Sequence, residues 1–468
     1  MLEISDRRYN RITHAFFALM TIFAIVFANE RFQADGAYYL FKVVNFETFQ
    51  VEHQRFILIA SQALPLAGVK LGLPLSVVIL LNSLNNVVFF YLIFRYCAYF
   101  LRDQTAGACV ILFMVVGVMH LHFTPMYEIW YGTMLLVPLR SHLVRMRYFT
   151  FRDRLLVALL MVVVLFSHPL LFIPVIYILL LDSIEKWGLD FRLLLISVIV
   201  FAGWYIVKKM FLSSYEAGKI SMLDTSWNKA YLDLLRPSYY WGLIKFFFTF
   251  YTIPVIAYLL MMGFYIVRRL RVKAMLVSVF FFGHILLVNF THVNDNTLTP
   301  YFERMYMPLL PIVFFPFLYD VFTQFFLRNV VGTVLLALII GWRLVRMVDT
   351  GLMYKERTRL VEKAVAQAQT LGGSKFELNL EDSRWCMNWA DWSLAMETQL
   401  RSAAIDKNKT VAISVYSDFE EPGNEERLNR NPNEYMMRCY ELMPDNIANP
   451  KYFRIEHGHY KMLQKVCE

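Results

Sequence analysis

NERFQADGAYYLFKVVNFETFQVEHQR, residues 29–55, interrupts two runs of membrane-grade apolar sequence, and its reading sets the reading of the whole chain. It carries Asp35, Glu47, Glu52, His53 and Arg55, groups that are costly to immerse in hydrocarbon and that mark functional sites when they crowd at a membrane border. A polar piece of this kind reads as the first outward loop of a polytopic membrane protein. Asp35 is its candidate functional carboxylate.

The 468 residues around it are 58% hydrophobic, 16% aromatic and only 18% charged, with a mean hydropathy of +0.45, outside the balance of a soluble domain. A net charge of +9 raises the question of nucleic acid, but the Lys and Arg residues fall in short clusters between apolar runs. That is a topology signal of membrane loops. Cys97 and Cys109 sit in apolar runs and Cys386, Cys439 and Cys467 in the tail, without CxxC or metal-ligand spacing. Cys386 and Cys439 are the pair open to a disulfide if the tail faces an oxidising compartment. Arg7, Arg8 and Arg11 precede the first apolar run as in a signal peptide, yet no small-residue cleavage site follows, so the segment reads as an anchor.

A span needs roughly 20 apolar residues. Windows of that kind fall at 12–28, 74–101, 106–122, 126–140, 154–167, 169–182, 191–211, 239–267, 273–290, 306–326 and 330–347, about eleven transmembrane helices. Segment 56–72 is apolar too, but it holds Ser61, Gln62, Pro65 and Lys70 and reads as lying along the outer interface, the alternative being one more span. Orientation favours the interfacial reading. With the N-terminus cytoplasmic, the clusters at Arg140–Arg154, Lys186 and Arg192, Arg268–Lys273 and Arg328 all reach the cytoplasmic side, where fixing orientation is all that is required of them.

The outer face then gathers Asp35, His53, His120, His122, Glu128, His168, His292, Asp295, Glu303 and Arg304. The chain divides into a transmembrane domain, 1–348, and an outer-face soluble α/β domain, 349–468. In the latter, 360–371 reads as a helix and 410–418 as a strand. Trp385, Trp389 and Trp392, at helical spacing, read as packing or interface residues rather than sugar platforms.

Asp35 followed by AYYLF, then HQR, then an interfacial segment ending KLGLP, resembles the opening of the GT-C superfamily of polyprenyl-phosphate-sugar-dependent glycosyltransferases. TPYFERMYMPLLP, residues 299–311, is similar to the superfamily's Arg beside an aromatic, running into Pro-containing apolar sequence. The resemblance covers the architecture of residues 6–326. It implies an all-α polytopic fold with interfacial helices in the first outer loop. It also implies a lipid-linked sugar donor entering from the outer leaflet, with a glycan, lipid-linked saccharide or protein hydroxyl as acceptor; inversion is the expected course because direct displacement needs only one base and no covalent enzyme intermediate. Asp35 is the base or charge stabiliser in that scheme, because sugar transfer needs a group to take the acceptor proton and to face the cationic anomeric carbon. Arg304 is the donor-phosphate ligand, a guanidinium offering two parallel charge-assisted hydrogen bonds. The alternative for Arg304 is a snorkelling residue paired with Glu303 or a lipid headgroup.

Around this centre His53, Arg55 and His292 are candidates for the donor phosphate, and His120, His168 and Glu303 for support. Glu128 is either a second carboxylate or a complement to its helix dipole. His120 and His122 are two apart, which on a helix points them about 200° from each other, so one at most is functional. Asn82, Asn85 and Asn86 share a helical face and read as interhelical hydrogen-bond glue. No HxxxH or DxD motif is present and Gly36, not a second acid, follows Asp35. No cofactor is assigned, a divalent metal held by Asp35 and histidines being the lesser reading. The rivals are a noncatalytic scaffold subunit of an envelope complex and a transporter, the latter disfavoured because the ionisable groups crowd the outer interface and no repeat is found. The preferred setting is a bacterial inner membrane with a periplasmic tail; an endoplasmic reticulum membrane with a lumenal site is topologically equivalent.

Overall fold

The computed structural model describes residues 6–145, 150–186, 188, 190–214, 216–218, 221, 237–291, 300–323, 330–378, 391–415, 431–438 and 441–463. His292, Asp295, Trp385, Trp389, Cys386, Cys439 and Cys467 lie outside these residues.

Every apolar window of the sequence contains helix. In chain order these are α1 (Asp6–Val26), α5 (Leu75–Arg95), α6 (Gln104–Val115), α7 (Glu128–Arg145), α8 (Phe151–Leu165), α9 (Phe172–Glu185), α10 (Phe191–Met210), α11 (Pro237–Phe250), α12 (Thr252–Val267), α13 (Arg271–Thr291), α15 (Leu309–Pro316) and α16 (Val330–Leu371). Interposed are α2 (Asp35–Phe46), α3 (Leu58–Ser61), α4 (Ala63–Lys70) and α14 (Pro300–Met305). Among the described residues, four helices are by length and composition fit to cross a membrane, at 75–100, 191–210, 271–289 and 331–371. The count is five if α11 and α12, bent by 92° at their junction, form one span. Window 239–267 is therefore a broken pair rather than a straight span. Segment 56–72 folds as α3 and α4, of 4 and 8 residues, each too short to cross hydrocarbon.

Local chemistry sets the helix ends. Thr150 and Asp153 form a reciprocal capping box on α8, and the Asp103 carboxylate accepts from the Ala106 N–H to start α6. The sequence places a helix to residue 122, but α6 stops at Val115. Gly117 turns the chain at φ +67, with the Tyr251 ring packed 2.9 Å from where a Cβ would stand. Only glycine serves there. The chain resumes as the 3₁₀ turn His120–Phe123.

α7 carries Arg140 roughly 18 Å along its axis from Glu128. Its guanidinium is buried rather than solvated, bonding Glu185 at 2.5 Å, while Lys273 bridges Glu185 and Asp320 at 3.2 and 2.7 Å. This basic residue thus joins α7, α9, α13 and the π-helical turn that follows α15, beyond any orienting role.

The tail is an α/β unit, yet the 348/349 boundary falls inside one 42-residue helix, α16. Beyond it, β1 (Lys375–Leu378) pairs in parallel with β2 (Ala412–Val415) and β5 (Lys461–Leu463), in the order β2-β1-β5. β3 (Glu434–Arg438) pairs antiparallel with β4 (Glu441–Pro444). α17 (Leu394–Ile405) connects this unit to the segment 29–55. Tyr38, Tyr39, Leu40 and Phe41 of α2 share one core with Met396, Leu400, Tyr435 and Phe453, and Trp392 packs on Tyr38 with ring centres 5.9 Å apart. Asn449 donates through its backbone N–H to Asn45 Oδ1 and through its side-chain amide to the Val44 carbonyl.

The polar anchor of that junction is Glu397. It is fully buried and meets the Arg357 guanidinium through two hydrogen bonds of 2.9 and 2.8 Å, and Arg401 at 2.8 Å. Burial alone would raise its pKa, but the two arginines more than offset this and hold it below the usual range. Arg401 goes on to donate to the Asn29 carbonyl at 2.7 Å and covers the Phe32 ring. Glu397→Ala leaves two buried cations without their anion, a loss of about 3–5 kcal/mol. We expect a lower thermal unfolding midpoint in detergent; an unchanged midpoint refutes the anchor.

Candidate functional site

Asp35 opens α2, where its carboxylate faces the positive end of the helix. Arg304 lies in the last turn of the short α14, 269 residues later. The fold brings them together: Arg304 Nη1 donates to Asp35 Oδ2 at 3.1 Å, and both side chains stay partly exposed. Beneath them lies Tyr127, buried, its ring 4.0 Å from the Arg304 guanidinium carbon and its hydroxyl beside the Asp35 carboxylate. The phenol thus stands against both members of the pair, with its π face to the cation and its hydroxyl to the anion.

Glu303 does not pair with Arg304. Adjacent helical residues point about 100° apart, and Glu303 turns into the protein, fully buried, where Oε2 accepts the backbone N–H groups of Met119, His120 and Leu121 at 3.1, 3.0 and 3.3 Å. Burial pushes its pKa up to about 7 against the pull of those three donors. Its carbonyl accepts from the Tyr251 hydroxyl at 2.9 Å. Glu303 thereby clamps the turn after Gly117 to the helix that presents Arg304.

A second acid–guanidinium pair stands nearby. Glu128, at the start of α7, is buried and joined to Arg55 by a short ion pair. Both its predicted roles coexist with this contact: it sits in the first turn of its helix and it is a carboxylate held beside a cation. His53, in a left-handed conformation at φ 52, bonds Ser213 through Nδ1 at 2.8 Å. Its carbonyl accepts from Lys208 at 2.6 Å, and Lys208 also pairs with Glu216 at 3.0 Å. Burial, with Arg55 beside it, holds His53 below its ordinary pKa and so neutral. His168 accepts the Leu170 N–H at 3.2 Å and caps a 3₁₀ turn. Burial and the charges of Arg55, Arg304 and Lys208 keep it neutral too.

The two histidines at 120 and 122 diverge as their spacing predicts. His120 Nδ1 meets the Tyr354 hydroxyl of α16 at 3.0 Å, whereas His122 Nε2 bonds the Met114 carbonyl at 2.8 Å inside the bundle. Asn85 bonds the Ala60 carbonyl, the Leu64 N–H and the Tyr131 hydroxyl, joining α3, α4, α5 and α7.

Among the described residues, no group of three or more His, Cys, Asp or Glu side chains is placed to hold a metal ion. Sequence reasoning missed Tyr127, Lys208, Ser213 and Glu216. Tyr127 is adjacent to Glu128 and was legible as an aromatic at the N-terminal end of α7; the other three carry no motif.

Comparison of the chain with protein-family models, with curated proteins and with solved structures found no match.

The buried Glu303 gives a pH dependence whose sign follows from its raised pKa. A carboxyl that titrates near 7 in the fold and near 4.5 unfolded adds stability that is complete below about pH 4.5 and lost as pH rises through 7. Wild type should therefore lose thermal stability between about pH 5 and 8 relative to Glu303→Gln, by up to about 3 kcal/mol. Parallel melting profiles of the two proteins across that range refute the assignment.

Proposed function

We propose that the chain is an integral membrane glycosyltransferase of GT-C type, moving a sugar from a polyprenyl-phosphate donor to a glycan, lipid-linked saccharide or protein hydroxyl on the outer face of the membrane. The observation that carries this reading is the meeting of Asp35 and Arg304 at 3.1 Å across 269 residues of chain, where sequence reasoning had singled out each for a different end of one reaction. Several apolar helices fit a membrane setting. The finer topology remains part of the proposal: about eleven passes, the N-terminus cytoplasmic, the tail periplasmic and the membrane a bacterial inner membrane.

In the reaction the phosphate of the donor takes the Arg304 guanidinium from Asp35. The acceptor oxygen then forms its bond to the anomeric carbon as the bond from that carbon to the phosphate oxygen breaks, with inversion. The acceptor proton passes to the Asp35 carboxylate, and polyprenyl phosphate departs bearing the negative charge that Arg304 stabilises. Tyr127 holds the guanidinium level during this exchange. Arg55, His53 and His168 line the donor end, and Glu128 holds Arg55.

Transfer by purified protein in nanodiscs, with a panel of polyprenyl-phosphate sugars, tests the reading. Asp35→Asn should lower kcat by about 10²–10⁴, the scale of a general base, and Arg304→Ala by about 10²–10³, the scale of one lost charge stabiliser. Equal transfer by wild type and Asp35→Asn removes Asp35 from the chemistry. No transfer from any donor, with partner proteins copurifying, replaces the enzyme with a scaffold.

A further inference from the structure

Arg31 lies in the turn after α1, four residues before Asp35, and its side chain is wholly buried. Nη2 donates to Asn86 Oδ1 of α5 at 2.8 Å. Nε and Nη1 have no hydrogen-bond partner, and among the described residues no carboxylate lies within 4.0 Å of the guanidinium. Glu30, next in sequence, answers instead to the charges of Arg401 and Lys355. Burial draws the Arg31 pKa down only to about 9, so the group is a cation at neutral pH. A cation sunk in a protein without an anion is among the most costly arrangements a fold can hold.

The surroundings share one chemical character. The Asn86 Nδ2 amide is buried and unpartnered, and Asn82, one turn earlier on the same face of α5, is buried with both amide atoms unpartnered. Arg31 Nε and Nη1 with the Nδ2 groups of Asn86 and Asn82 offer N–H donors, which outnumber the unpartnered acceptors beside them, Asn82 Oδ1 and the Nδ1 atom of His122, whose Nε2–H is spent on the Met114 carbonyl. The Phe23 ring, 5.9 Å from the guanidinium carbon, walls the site with apolar surface. Such a set wants a partner that only accepts hydrogen bonds, carries negative charge and is small enough for an enclosed place.

We propose that Arg31, Asn86 and Asn82 form an internal site for a small inorganic anion of the halide class, chloride at cellular concentrations. The anion neutralises Arg31 and takes the donors that water, a donor as well as an acceptor, satisfies less well. Its effect reaches the functional loop, because the Arg31 carbonyl packs 3.3 Å from where a Cβ on Gly36 would stand, directly beside Asp35. The bound ion thus props the turn that presents Asp35.

The test replaces chloride by gluconate at constant ionic strength, using the purified full chain in nanodiscs. The thermal midpoint of wild type should fall by about 5 °C. Asn86→Asp sets a carboxylate on the partner Arg31 already has; it should hold the wild-type midpoint and show no response to chloride. Bromide should give anomalous density beside Arg31. A wild-type midpoint indifferent to chloride overturns the site and leaves ordered water there. A chloride response undiminished in Asn86→Asp places the ion elsewhere and overturns it equally, as does bromide density absent from Arg31.

Discussion

The Glu397 carboxylate, sunk between the guanidiniums of Arg357 and Arg401, is the contact on which the architecture depends. Its three charges net to one cation, and the surplus is spread through Arg401 onto the Asn29 carbonyl and the face of Phe32. That single cluster binds the last long helix, α17 and the start of the segment 29–55. The apolar core shared by α2 and the tail then closes over it. Without the tail, α2 would show Tyr38, Tyr39 and Phe41 to water, and the helix that starts at Asp35 would lose one of its walls.

The polar groups of the site obey the same economy. Each carboxylate meets a guanidinium, an ammonium or a row of backbone N–H groups: Asp35 with Arg304, Glu128 with Arg55, Glu216 with Lys208 and Glu303 with the turn at 119–121. Pairs that are half exposed, as Asp35–Arg304 is, are worth little in stability and are easily exchanged for an incoming anion. Pairs that are buried, as Glu397 is, are not. The fold thus keeps an exchangeable pair on top of a rigid set.

The long apolar helices and the break of 56–72 from them were legible because apolar length and interrupting polar residues are local properties. Asp35 and Arg304 stood out for the same reason, being charges set against apolar sequence. Their contact was not legible, since it depends on how α2 and α14 pack and no local pattern records that. Glu303 was misread as an option for Arg304 because sequence neighbours suggest contact, whereas helical geometry turns them apart. The bend between α11 and α12 escaped notice because it leaves hydropathy untouched. The boundary at 348/349 fell inside α16 because composition changes there while the helix does not.

The order of residues in the chain also sets an order in time. Asp35 is made early, its partner Arg304 comes 269 residues later, and α17 follows still further on. At about 5–20 residues per second, roughly 13–54 seconds pass between synthesis of the acid and of the base-paired arginine. Throughout that interval α2 has its aromatic face uncovered, because the residues of α17 and the tail that cover it have yet to be made. A ribosome stalled before α17 leaves behind a chain whose long apolar helices are largely complete but whose segment 29–55 has no roof, with Tyr38 and Tyr39 of α2 uncovered.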